Sequence, residues 1–401
     1  VAHRFRSGLL ASLAFLASAL GATASCDSVL GIQDGVLEFP DGYVYYWDAG
    51  EDGTMGSEAA SEASPGEEAS PGTDAGEGGS PACANPCPMA TNLNHPFAVA
   101  SDANNVYWVE FGDEGGGSNG AVKACPLSGC PASGPTVYAQ GLTNPPGIAV
   151  DAQNVYFGTS NTNGSGGIWS CPISGCTTPK MLAPAQTPFG LGVNGGYVYW
   201  VDYADSTVHR ALTTSAGDMV LYDAASQVIY EPYRAAVDDA FVYVTDYLEN
   251  LYRVPVGGGE PVVMYNAVTN YYGQPEGVAV DDSGVYFAQQ NEIVAMPKSG
   301  VDGGGAVVLA TGQSWSAGVA IDRSTATVYW ANVGYTGAGD GIVGRVGEDG
   351  GAMKALEASL TTPYAVTVSG GYVFWVSLGQ VATSGCNFTT NGSGVLYRAP
   401  K

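Results

Sequence analysis

Seven aromatic triplets punctuate the chain at nearly even intervals, and no other feature constrains its fold so strongly. VYW (106–108), VYF (155–157), VYW (198–200), VYV (242–244), VYF (285–287), VYW (328–330) and VFW (373–375) follow one another at spacings of 49, 43, 44, 43, 43 and 45 residues. Ahead of each lies a small-apolar run: AVASD, GIAVD, GLGVN, RAAVD, GVAVD, GVAID and AVTVS. In six repeats the last residue of that run (Asp102, Asp151, Asn194, Asp238, Asp281, Ser369) stands four before the triplet; Asp322 stands six before Val328. A fixed period of this length marks stacked supersecondary units.

Each unit supplies four short strand patterns separated by Gly, Asn, Asp and Pro turns. The second reads PGIAVD, VYFGTS, GIWSCP and PKMLA. Four strands per unit predict an all-β fold, a seven-bladed β-propeller of four-stranded blades over residues 83–401. Small residues in the first strand suit the crowded centre; aromatic second strands suit packing between blades. The chain ends on GVLYRAPK (394–401), which matches only a third strand, whereas CPMATNL (87–93) upstream matches a fourth. The last blade is therefore expected to be closed by an N-terminal strand, leaving the ring no open edge.

GVAVDDSGVYF, GIAVDAQNVYF and VYVTD resemble the repeats of YWTD-type, NHL-type and gluconolactonase-type propellers, and the whole set resembles propeller domains of secreted bacterial lipoproteins. The resemblance covers about residues 97–401 and implies architecture; propellers host many activities. YWTD domains usually have six blades, and this sequence gives seven.

Residues 1–26 combine Arg4 and Arg6 with a short apolar stretch from Leu9 to Leu20 and small residues before Cys26, the pattern of a secretory signal. Thr23-Ala24-Ser25-Cys26 resembles a bacterial lipobox, with Thr where Leu is usual; it implies lipidation of Cys26 and a membrane anchor in the periplasm or at the cell surface. Ordinary cleavage near Ala24, giving a secreted protein, is the alternative. Within 27–82, residues 51–82 hold eight acids, no base and no aromatic, with EASPG twice, and are expected to form a disordered tether. GVLEF (35–39) and DGYVYYWDAG (41–50) imitate a strand pair but are read as an anchor-proximal segment outside the propeller.

The formal charge of −25 argues against nucleic acid as a partner, because phosphate binding needs clustered cations. A monomer is expected. Cysteine spacing adds the compartment. CPLSGC (125–130) and CPISGC (171–176) align with Val254-Pro255-Val256-Gly257-Gly258-Gly259, where the same turn forms without cysteines. Cys125–Cys130 and Cys171–Cys176 are thus expected to be disulfides across a hairpin, as an oxidising compartment permits. Cys83–Cys87 is the preferred further pair, with Cys386 as the alternative partner.

No catalytic residue, metal site or cofactor is assigned. The Asp residues ending the first strands are read as turn caps. After the signal-like segment only His95 and His209 remain, in different units, so no Ser-His-Asp arrangement follows. The candidate site is a loop-rich face. Phe97, Phe189, Tyr233, Glu276 and Tyr364 precede the small-apolar runs at one channel mouth. Arg234 replaces the Gly or Ala of most other units, and Tyr271, Tyr272 and Trp315 lie nearby. Aromatics with Asn, Asp and Gly on loops predict recognition of a small molecule, glycan or protein. The competing expectation is a propeller enzyme, a metal-dependent lactonase or a lyase.

Overall fold

The computed structural model describes residues 86–112, 118–160, 166–223, 228–248, 250–266, 277–289, 291–313, 315–334, 339–379 and 393–401, together with the backbone of 36–38, 44–46, 382–384 and 387–389. Two compact units separate: residues 84–383 with 387–401, and residues 1–83 with 384–386. In the second unit, Val36–Glu38 pairs antiparallel with Val44–Tyr46. Cys26 and the acidic stretch lie outside the described residues.

The first unit is a seven-bladed β-propeller. Seven four-stranded antiparallel sheets follow one another, and six are built from consecutive strands. The seventh takes Pro363–Ser369, Tyr372–Ser377 and Gly394–Pro400 from the C-terminal end and Cys87–Leu93 from the N-terminal side. The two ends pair antiparallel, Pro88 opposite Tyr397 and Leu93 opposite Gly394. Closure by an N-terminal strand is therefore as the repeat count predicts.

Alternation along the second strand explains the triplet. Successive side chains point to opposite faces, so the Tyr meets the next blade and the following Trp or Phe meets the previous one. Tyr156 shares a buried cluster with Trp200, Tyr243 with Phe287, Tyr286 with Trp330 and Tyr329 with Trp375. At the seam where the chain ends meet, Phe374 shares one with Trp108 and Leu396. Burying such rings stabilises each interface by roughly 1.5–3 kcal/mol per side chain.

At one end of the blades the recurrent Asp organises the turn. Asp102 Oδ1 accepts the backbone N–H groups of Asn104 and Asn105 at 2.7 Å, and its Oδ2 accepts the Tyr107 hydroxyl at 2.8 Å. Asp151 repeats this with Gln153, Asn154 and Tyr156, and Asp238 with Ala240, Phe241 and Tyr243. The four-residue offset is the distance at which one carboxylate caps the turn and also holds the triplet tyrosine.

The hairpins between third and fourth strands carry the same turn with and without cysteine. The N–H groups of Gly129, Gly175 and Gly258 donate to the carbonyls of Pro126, Pro172 and Pro255 at 3.0, 3.1 and 2.9 Å. Cys125–Cys130 and Cys171–Cys176 are bonded across the first two. Cys87 is also disulfide-bonded; its expected partner Cys83 and the alternative Cys386 lie outside the described residues.

Candidate functional site

The opposite ends of the inner strands form the mouth. Pro96-Phe97, Pro188-Phe189, Pro232-Tyr233 and Pro363-Tyr364 open four of them. Proline has no N–H for the ladder and tolerates the first position of a strand. Directly after it the register shifts. Pro96 opposes Glu110 and Ala98 opposes Val109, leaving Phe97 as the extra residue; Tyr233 and Tyr364 are extra in the same way. Such bulges re-aim a side chain, and here three aromatic residues leave the sheet for the channel. In the third blade the shift falls just after Phe189.

The rings meet in a closed circuit contributed by blades one, three, four and seven. Phe97 and Phe189 have centroids 6.0 Å apart, Phe189 stacks on Tyr233 at 4.4 Å, and Tyr364 lies 4.9 Å from Phe97. The Tyr233 and Tyr364 hydroxyls close it with a 3.0 Å hydrogen bond. Burial, then the neighbouring Tyr364, pushes the Tyr233 phenol well above its ordinary value, so it stays a neutral hydroxyl.

Arg234 lies against three rings of this circuit. The equivalent positions of the other blades are Ala98, Gly147, Gly190, Gly277, Gly318 and Ala365, which leave room for one long side chain. Its guanidinium carbon sits 4.7, 5.3 and 5.6 Å from the ring centroids of Tyr233, Tyr364 and Phe97. Gly190 has φ +51°, and a Cβ there would come within 2.5 Å of the Ala235 nitrogen and 2.8 Å of the Arg234 carbonyl carbon. The glycine lets the inner strands of blades three and four approach closely enough to set the arginine backbone.

The structure thus brings together Phe97, Phe189, Tyr233, Arg234 and Tyr364. Trp315 packs against the same core cluster without joining the circuit of rings. Tyr271, Tyr272 and Glu276 lie outside the described residues. Three neighbours are added by the structure. Tyr203 contacts the rings of Phe189 and Tyr233 and donates to Glu231 Oε2 at 2.7 Å. His95 and Phe111 pack on Phe97, and burial lowers the His95 imidazole to about 4. The repeated Pro–aromatic dipeptide was the sequence signal for the bulges.

Buried polar residues ending the second strands fix the loops that enter the mouth. Asp202 accepts the N–H groups of Gln186 and Thr187 at 2.7 and 3.0 Å. Asp246, with 0% exposure, accepts from the N–H groups of Tyr230, Leu248 and Asn250 and from the Tyr252 hydroxyl. Burial raises both carboxyls above their ordinary value, and these hydrogen bonds only partly offset it.

Among the described residues no group of three His, Cys, Asp or Glu side chains could hold a metal ion. Asn194, at the turn end, donates to Asp239 at 2.9 Å. A hydroxyl–imidazole–carboxylate line does occur on blade three. Thr207 Oγ1 lies 2.7 Å from His209 Nε2, and His209 Nδ1 lies 2.9 Å from Asp218. Its imidazole stacks on Trp200, centroids 5.1 Å apart, so it also packs the blade. A separate groove of about 670 Å³ lies between the outer strand of blade one and blade two, lined by Tyr138, Thr143, Thr159, Trp169 and Thr177.

No family model matches the chain. Two solved structures are similar over most of it. One is a structural genomics protein of unknown function from Bacteroides thetaiotaomicron VPI-5482, 12% identical, with a TM-score of 0.49 and coverage of 77% of this chain and 70% of that one. The other is a chain of a nidogen/laminin complex, 15% identical, with a TM-score of 0.42 and coverage of 71% and 96%. Neither likeness bears on function.

Proposed function

We propose that the protein is an exported, lipid-anchored propeller that binds a ligand at its aromatic mouth. The observation that carries this reading is the circuit of Phe97, Phe189, Tyr233 and Tyr364 with Arg234 against three of its rings. Aromatic surfaces with a few convergent polar groups are the usual composition of a ligand site. Export is supported by the signal-like residues 1–26 and by the disulfides of blades one and two. The anchor would be a lipid on Cys26, with the acidic stretch as a tether.

A metabolite and glycan screen by thermal shift tests the binding reading on the whole chain. Compounds that stabilise the wild type should lose their effect in Tyr203→Ala and Phe189→Ala. Hits that persist unchanged in both would place binding elsewhere. Mass spectrometry of the mature N-terminus tests the anchor: a lipid-modified cysteine is expected, and an unmodified start refutes it.

The enzyme reading has the Thr207–His209–Asp218 line on its side, since that order suits a nucleophile, base and orienting acid. Ester hydrolysis abolished by both Thr207→Ala and His209→Ala, each still folded, would favour it.

A further inference from the structure

The hydrogen-bond inventory at the mouth is one-sided. A guanidinium carries five N–H donors and no acceptor. Among the described residues Arg234 makes three ring contacts, and no carboxylate or carbonyl receives its hydrogens. Aromatic faces attract the cation but do not replace hydrogen-bond acceptors. The nearby Glu231 carboxylate already accepts the Tyr203 hydroxyl.

The two phenols add to the surplus. When the Tyr233 and Tyr364 hydroxyls bond to each other, one donates and the other accepts. The accepting hydroxyl keeps its own hydrogen, and no described acceptor takes it. Tyr233 cannot relieve this by ionising, because burial holds it neutral. The mouth therefore presents a cation and a neutral O–H beside the rings of Phe97, Tyr233 and Tyr364.

We propose that Arg234 is the receptor for a carboxylate whose apolar body lies against these rings. This rests on the mouth being the binding site. One guanidinium fork matches one carboxylate in charge and in paired donor geometry. A phosphate dianion would bring a second charge, and the described circuit holds no second cation. The chain's charge of −25 repels anions except where a cation is placed locally, and Arg234 is the one long side chain at its position among seven blades.

Titration calorimetry with phenylacetate, phenylacetamide and phenyl phosphate tests this on the intact protein at fixed ionic strength. Phenylacetate should bind saturably, more tightly than phenyl phosphate, and the isosteric neutral amide should not bind. Arg234→Lys, which keeps the charge and loses the fork, should weaken phenylacetate by about tenfold to a hundredfold. Arg234→Met should abolish binding while circular dichroism and the unfolding midpoint show an intact fold.

Equal binding of acid and amide overturns the proposal without needing a variant, as does the absence of saturable phenylacetate binding at millimolar concentration. Tighter binding of phenyl phosphate reassigns the anion and overturns it too. If screened ligands depend on Phe189 and Tyr203 but not on Arg234, the mouth reading stands and the carboxylate assignment falls. If nothing binds in a way that any mouth variant changes, both fall.

Discussion

The two ends of the same inner strands are built on opposite principles. At the turn end, acids repeat from blade to blade and their acceptors are filled by the protein itself, as at Asp102, Asp151 and Asp238. At the mouth end the blades differ, and Arg234 and one phenol hold donors that the described residues do not use. Uniform polar groups paired within the protein hold the ring; donors that the described residues leave to solvent, as on Arg234, are where a ligand can add bonds.

Two acids of the turn end and two of the mouth end shift in opposite directions. Burial alone would raise Asp322, but hydrogen bonds from Lys401, Ser324 and Thr325 outweigh it and hold the carboxyl at about 2. Asp238 is likewise lowered, burial being outweighed by the N–H groups of Ala240 and Phe241 and by Lys298. Asp202 and Asp246 go the other way.

The largest effect is expected at Asp246. Asp246→Ala leaves several buried donors without an acceptor and should cost about 3 kcal/mol or more in denaturant unfolding. Asp151→Ala at the turn end removes three bonds whose partners are partly open to water. It should cost about 1–3 kcal/mol and leave ligand affinity at the mouth unchanged; a loss of affinity would mean the ends are coupled. Arg234→Met should change stability by about 1 kcal/mol at most, while removing the proposed carboxylate binding.

The smallest effect is in the pH profile. Groups held below their unfolded values, Asp322 and Asp238, add stability that is complete above about pH 4 and is lost as the pH falls through the folded value. For Asp202 and Asp246 the sign reverses: their contribution is complete in acid and is lost as the pH climbs through the raised value. Asp322→Asn should therefore reduce the loss of stability toward pH 2, whereas Asp246→Asn should remove an opposing gain. Unfolding midpoints measured from about pH 2 to pH 6 separate the two.

The turn end was legible because its chemistry is local. One Asp, two following amides and a tyrosine five residues on sit within a single hairpin, so the period exposes them. Phe97, Phe189, Tyr233 and Tyr364 were recognisable as rim residues from their place before the small-apolar runs. Their convergence depends on bulges and on a ring closed across four blades, which no single repeat encodes. Asp202 and Asp246 were missed because their counterparts are Glu110, Thr159, Gln289, Asn332 and Ser377, a set that looks like ordinary polar variation. The Thr207–His209–Asp218 line was missed because Asp218 reaches His209 only across a turn.

The seam of the seventh blade imposes a timetable on the chain. Cys87–Leu93 finds its partner only in Gly394–Pro400, roughly 300 residues later, so this pairing carries a large loop-closure cost and is slow to form. However the chain emerges, from a ribosome or through a membrane pore, six blades can be complete while this strand waits unpaired. Arg234, on blade four, meets Phe97 and Tyr364 from the two blades at that seam. The mouth proposed to bind a ligand is therefore assembled only in molecules that have finished folding, so occupancy there would report on maturation as well as on supply.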